Sequence, residues 1–326
     1  MSGTLSARRD VLIWTAALIG LAIVAPFFLY PVFLMRALCL ALFACAFNLL
    51  LGYVGLLSFG HAAFMGSAAY ITAHTVKVWG FPPELGILAG VAVAAALGLV
   101  FGWLAIRRQG IYFAMITLAL AQMIAFFALQ AKFTGGEDGI QAVPRGHLFG
   151  LIDLGNTFVM YYFVLAVFLA GFALIQRTIN SPFGQVIKAI RENEPRAISL
   201  GYRAERYKLL AFVLSAALAG LAGAIKCMVL QFASLSDVDW TTSGQVVLMT
   251  LVGGVGTPLG PVVGAFIVVT MENYLAQAGS WVTIIEGIIF VVCVLTFRRG
   301  IVGVLTPYLT SSSTAPAVTE PTAETS

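Results

Sequence analysis

The side chains that could do chemistry are few and lie far apart in the chain. Asn48, Ser58, His61, Gln122, Glu272 and Glu286 are polar or ionisable groups in otherwise apolar stretches. Their types offer hydrogen bonding, contact with a polar solute, or proton transfer. A membrane-embedded acid is a functional candidate by default. Here there are only Glu272 and Glu286, and no chain of acids leads to His61, so proton coupling has little to work with. A lone histidine in an apolar segment reads first as a hydrogen-bonded structural residue. Asn48 and Gln122 read either as interhelical hydrogen-bond partners or as solute contacts. No Ser/His/Asp set, HExxH motif or paired-carboxylate site is present, so no residue is assigned to catalysis. Cys39, Cys45, Cys227 and Cys293 sit in apolar segments without a CxxC or Cys/His cluster, and they read as small buried hydrophobes, with no metal site.

Glycines are the second unusual feature. GYVGLLSFGHAAFMGSAAY (52–70) opens a hydrophobic stretch with two of them, although each glycine in a helix interior costs roughly 0.5–1 kcal/mol relative to alanine. LVGGVGTPLGPVVGA (251–265) repeats the pattern, with Gly253 and Gly256 placed like Gly52 and Gly55. Transporters place interrupted helices in corresponding halves, where freed backbone groups line the substrate path. Asn48, Gly52, Gly55, Ser58, His61, Gln122, Gly253 and Gly256 are therefore the candidates for a translocation pathway or gate. Close helix packing through Gly60, Ala63, Gly66 and Ser67 is the equally open alternative.

The elements that must position these residues are membrane helices. Of the 326 residues 60% are hydrophobic and 10% charged, against about 25% charged in a soluble domain. The net charge of +4 says nothing about nucleic acid, and no such partner is expected. A span needs ~20 apolar residues, which predicts an all-α polytopic bundle with helices over 11–29, 32–51, 59–79, 84–105, 111–131, 157–176, 207–231, 240–253, 260–277 and 280–297. Arg8/Arg9, Arg107/Arg108, the 177–208 loop and Arg298/Arg299 should be cytoplasmic by the positive-inside rule. Ten helices with both termini inside satisfy every anchor; eight, with 240–277 re-entrant, also do. Arg8 and Arg9 precede the first apolar run like the start of a signal peptide, but without a cleavage site it reads as a retained helix. One membrane domain is expected over 1–310, and the polar tail 311–326 is expected to be disordered.

The loop RTINSPFGQVIKAIRENEPRAISLGYRAERYK (177–208) holds seven basic residues and three acids. Ser181-Pro182 is a helix start, and Phe183, Val186, Ile187 and Ile190 recur at helical spacing. Ala197, Ile198 and Leu200 follow a break at Glu194-Pro195 and end at Gly201, a C-terminal cap. Short helices with apolar faces outside the membrane need a surface to cover them, a protein partner before the inner leaflet. TGGEDGI (134–140) should lie outside. It lacks the dense oxygen spacing of a calcium loop and reads as a turn that receives an external protein.

At this point a resemblance enters. SPFGQVIKAIRENEPRAISLGY with RYKLLAFVLSAALAGLAGAI, GYVGLLSFGHAAF, IYFAMITLALAQM, TGGEDGI, TTSGQVVLM and LVGGVGTPLGPVVGA together resemble LivM-type permeases of branched-chain amino acid ABC transporters, over roughly residues 40–300. The resemblance implies that the loop docks in a separate ATPase through a degenerate EAA motif, matched here by Glu194, Ala197 and Gly201. Ser181, Arg191, Glu192 and Arg196 flank it. It also implies a second, LivH-like permease, two LivG/LivF-like ATP-binding subunits that hold ATP and Mg, a periplasmic binding protein and a bacterial inner-membrane location. No cofactor is expected in this chain, which has no GxxxxGK[ST] phosphate loop. Branched-chain or other hydrophobic amino acids are the implied solutes, with urea, amides or small organic acids as alternatives. A stand-alone secondary transporter or channel is the rival from another class, and a membrane-embedded enzyme a remote third.

Overall fold

A computed structural model describes residues 20, 22–150, 152–275, 284, 285, 287, 288, 291, 296 and 300–303. The expected spans 11–29 and 280–297 fall largely outside the described residues. Arg8, Arg9, Glu286, Cys293, Arg298, Arg299 and the tail 311–326 lie wholly outside them.

The described chain is helical apart from one small hairpin. In it β1 (His147–Leu148) pairs antiparallel with β2 (Ile152–Asp153), His147 opposite Asp153. The helices are α1 (Pro31–Asn48), α2 (His61–Lys77), α3 (Pro83–Ala105), α4 (Ile111–Gln130), α5 (Thr157–Asn180), α6 (Pro182–Glu192), α7 (Glu194–Ser199), α8 (Ala204–Leu230), α9 (Trp240–Gly253) and α10 (Gly260–Leu275). Among the described residues five stretches are long and apolar enough to cross a membrane: Pro31–Val54, Pro83–Ala105, Ile111–Gln130, Thr157–Asn180 and Ala204–Leu230. At 1.5 Å per residue, α9 and α10 are only roughly 21 and 24 Å long, shorter than a ~30 Å hydrocarbon core. They form a hairpin around a glycine turn.

α1 is the axis of the bundle, buried on every side from Ala37 to Asn48. A helix apolar all round has to be enclosed by others, and α5, α8, α9 and α10 surround it. Beside it, α2, α3 and α8 pack through small residues. A Cβ on Gly90 would stand 2.7 Å from the Ala68 carbonyl oxygen, and one on Gly223 would overlap the Met65 carbonyl. Lipid tails are as apolar as the side chains, so contact of this closeness is what holds such helices together. Ala63 is buried, and a Cβ on Gly66 would meet the Val238 side chain in the connection between α8 and α9.

α6 and α7 lie across one end of the bundle. Ser181 opens α6 by accepting the Gly184 N–H at 3.2 Å, with Pro182 at the first helical position. Asn193 opens α7 by accepting the Arg196 N–H at 3.0 Å. Both are side-chain caps of the kind that fixes a helix start.

Candidate functional site

The site grows from the way α1 ends. Its last turn widens into a π-helical turn, Leu49–Val54, and stops at Gly55, which is left-handed at φ +82°. The N–H groups of Gly55 and Leu56 both return to the Leu50 carbonyl, at 3.0 and 3.2 Å. The Gly52 carbonyl instead accepts from a guanidinium nitrogen of Arg191, on α6. Carbonyls at a helix end need an outside donor, and here the donor belongs to a different element. Lys188, one turn earlier on α6, places its ammonium 5.7 Å from the centre of the Tyr53 ring.

The second glycine break meets the first. Asn48 Oδ1 accepts the Gly256 N–H at 2.9 Å, and Asn48 Nδ2 donates to the Thr257 carbonyl at 3.0 Å. Gly254 and Gly256, both with positive φ, turn the chain between α9 and α10. A Cβ on Gly52 would stand 2.7 Å from the Gly256 nitrogen, and one on Gly253 would overlap the Gly260 carbonyl. A Cβ on Gly55 would press on Arg191 Cγ at 3.1 Å. Two breaks some 200 residues apart in sequence thus touch each other, and α6 touches both. Both ends of the Asn48 amide bond to the α9–α10 turn.

Between the break and α2 the chain is irregular, and side-chain hydroxyls accept three N–H groups of this stretch and of the first turn of α2. Thr117 accepts the Phe59 N–H at 3.2 Å, Ser58 that of Gly60 at 3.2 Å, and Ser243 that of Ala62 at 2.9 Å. Non-helical backbone at membrane depth survives only inside protein or beside water. His61, fully buried, begins α2 with Nε2 2.8 Å from Ser215 Oγ, whose hydroxyl donates to the Ala46 carbonyl at 2.6 Å. That hydroxyl has spent its proton, so His61 Nε2 carries the hydrogen. Phe47, Phe64 and Phe212 enclose the ring at centroid distances of 5.1–6.1 Å.

The loop residues divide into inward and outward sets. Glu194 Oε1 pairs with Lys208 Nζ at 2.6 Å, and its other oxygen accepts from Gln109. Ala197 is buried with Ile190 and Ala204, while Phe183 stacks on Tyr207 at 5.7 Å. The apolar faces expected to await a partner are therefore mostly covered by this chain itself, by the π-helical turn, the end of α5 and the start of α8. That corrects the sequence-based expectation, because periodicity shows that a face is apolar and not what lies opposite. Outward stand Glu192, Arg196 and Gly201, together with Ile198 (55% exposed) and Leu200 (70% exposed). Lys188, Gln109, Lys208 and Thr257 were missed from the sequence; none has a local signal that names its distant partner.

The remaining candidates lie apart from this junction. Gln122 is exposed on α4, in a stripe with Met115, Met123 and Phe126. Glu272 is ion-paired with Arg36 at 2.7 Å and accepts from Gln245 at 3.0 Å, joining α10 to α1 and α9. Glu137 and Asp138 are exposed, and among the described residues no group of three or more His, Cys, Asp and Glu side chains could hold a metal.

Residues 31–295 match the model of a family described as "Branched-chain amino acid transport system / permease component". The high-affinity branched-chain amino acid transport system permease protein LivM of Escherichia coli is 27% identical over 290 residues, covering 80% of this chain and 67% of that one. The ribose import permease protein RbsC of Bacillus subtilis is 28% identical over 238 residues, 68% of this chain and 70% of its own. A probable branched-chain amino acid transport permease protein LivH of Methanocaldococcus jannaschii is 25% identical over 269 residues, 75% and 82%. No solved structure matches.

Proposed function

The chain belongs to the family of branched-chain amino acid transport system permease components, and on that premise we propose that α6 and α7 couple ATP hydrolysis in a partner subunit to an inner gate. The chain is a multi-pass membrane protein and the permease component of an ABC importer. The observation that carries the coupling reading is the Arg191 guanidinium on the Gly52 carbonyl, where α6 reaches the paired glycine breaks. In this reading α6 and α7 face the cytoplasm and both termini lie there, in a bacterial inner membrane.

The exposed Ile198, Leu200, Glu192 and Arg196 dock in the ATPase, which binds ATP and Mg. Glu194, held by Lys208 and Gln109, makes the loop move with α8 and the α3–α4 connection as one piece. When the ATPase subunits close, that piece shifts, and Arg191 carries the shift to Gly52, Asn48 and Gly256. Two arrangements of this contact would open and close the inner mouth. A second permease, two ATP-binding subunits and a periplasmic binding protein complete the importer, and Gln122 on α4 faces the path between the two permeases.

Branched-chain or other hydrophobic amino acids are the favoured solutes, on the family match. Relatives named for sugars make this the part most in need of measurement. The test is uptake by proteoliposomes holding this chain with and without its neighbouring permease, ATPase and binding-protein genes, using leucine, ribose, urea and small carboxylates. Uptake of leucine only with the full set and ATP supports the reading. Uptake by this chain alone, driven by an ion gradient, would overturn it.

A further inference from the structure

A concave site of about 400 Å³ opens beside the start of α8, lined by Gly201, Tyr202, Arg203, Arg206, Tyr207 and Leu210. We propose that it holds the phosphate headgroup of an anionic phospholipid from the inner leaflet. Three features of the site point to a lipid.

The first is charge left over. Lys208, the third cation of this turn, is buried against Glu194. Arg203 and Arg206 have no hydrogen bond or ion pair to their guanidinium groups among the described residues. Two forked cations over one cavity suit phosphate oxygens.

The second is depth. α8 runs for 27 residues, or about 40 Å at 1.5 Å per residue, against a hydrocarbon core of about 30 Å. Its first one or two turns therefore lie at headgroup level, given the orientation proposed above. Arg203, Arg206 and Tyr207 occupy that level, and interfacial tyrosine and arginine are placed where one end of a ligand is wet and the other apolar.

The third is the wall above. Leu210 follows Arg203 and Arg206 on the same side of α8 and is 60% exposed. Val213 and Leu214 continue upward, half-buried. The occupant thus needs an anionic head below and hydrocarbon above. With Leu210, Val213 and Leu214 rising from headgroup level into the membrane, acyl chains rather than a soluble ATPase meet this wall, which favours lipid over protein at this spot. Ile198, on α7, and Leu200, which follows its last turn, remain the ATPase surface.

The experiment measures binding of short-chain phosphatidylglycerol to the full-length chain, purified in detergent both alone and within its co-expressed complex. At about 1 kcal/mol per interfacial arginine, R203Q and R206Q should each weaken binding about five-fold, and the pair together roughly thirty-fold. R177Q, a loop cation outside the cavity, should leave it unchanged, and phosphatidylcholine should not compete. Equal affinity in wild type and the double variant would overturn the proposal, as would an equal loss in R177Q, which would mean diffuse charge. Full displacement by millimolar inorganic phosphate would reassign the site to a free anion. Loss of the lipid on assembly with the ATPase would reassign it to the protein interface. None of these results depends on which solute the importer carries.

Discussion

The polar groups around His61 and those around Gly52 both interrupt the apolar core, and they are built in opposite ways. Around His61 every bond closes inward: Nε2 reaches Ser215, Ser215 reaches Ala46, and three phenylalanines seal the ring. Around Gly52 the bonds lead outward, from Asn48 to the α9–α10 turn and from Arg191 to the loop at the end of the bundle. The first arrangement fixes a helix start. The second joins three elements, the end of α1, the α9–α10 turn and α6. A polar residue in a membrane helix is thus not by itself a pathway residue; what matters is where its partners lead.

The largest effects should come from filling the glycine contact. A valine at Gly52 presses on the Gly256 backbone, and overpacking of this kind costs about 1–3 kcal/mol. Uptake by G52V should fall below detection while the protein still inserts and assembles. Gly55→Leu should do nearly the same, since a left-handed backbone costs a side chain roughly 1–2 kcal/mol and the new side chain would push on Arg191. Normal uptake by either variant would remove the gate from the account of these glycines.

Next in size is Ser215→Ala, on the sealed side of the comparison. It strips His61 Nε2–H of its acceptor, and a buried donor left unpaired costs about 1–3 kcal/mol. Thermal unfolding in detergent should drop measurably, but molecules that remain folded should transport the same amount of solute per ATP. A changed ratio would show that His61 takes part in coupling. Smaller again is Leu200→Ser, which leaves the bundle intact and should weaken ATPase association by about five-fold, using roughly 1 kcal/mol for one exposed apolar contact. Pull-down from membranes measures it. The smallest effect is expected of Gln122→Leu: stability unchanged within ~0.5 kcal/mol for a surface position, with a shift in the apparent KM for solute.

Much of this plan was legible in the sequence. Periodicity and length located the helices between residues 31 and 275, and Ser181-Pro182 marked the start of α6 because proline and a capping hydroxyl act locally. The two glycine breaks were recognisable as a pair, since glycine at +82° in Gly55 answers a backbone need that shows in residue type. What stayed hidden was their contact with each other and with Arg191. Those bonds span 208 and 139 residues, and nothing in local propensity sets which distant carbonyl a guanidinium meets. The covering of Ile187, Ile190 and Ala197 by the chain itself was hidden for the same reason. Glu272 is a functional candidate by residue type alone, and its ion pair with Arg36 on α1, 236 residues away, has no local signal either.

The most direct measurement is the number of solute molecules moved per ATP hydrolysed by the reconstituted transporter carrying Arg191→Ala. A charged hydrogen bond of this type contributes about 1.5–3 kcal/mol, roughly ten- to a hundred-fold at 1.4 kcal/mol per decade. The expected result is ATP hydrolysis near the wild-type rate with uptake reduced at least about ten-fold, and partial recovery in Arg191→Lys, which keeps one donor. Uptake and hydrolysis falling together, or neither changing, would contradict a coupling role for the contact between α6 and Gly52.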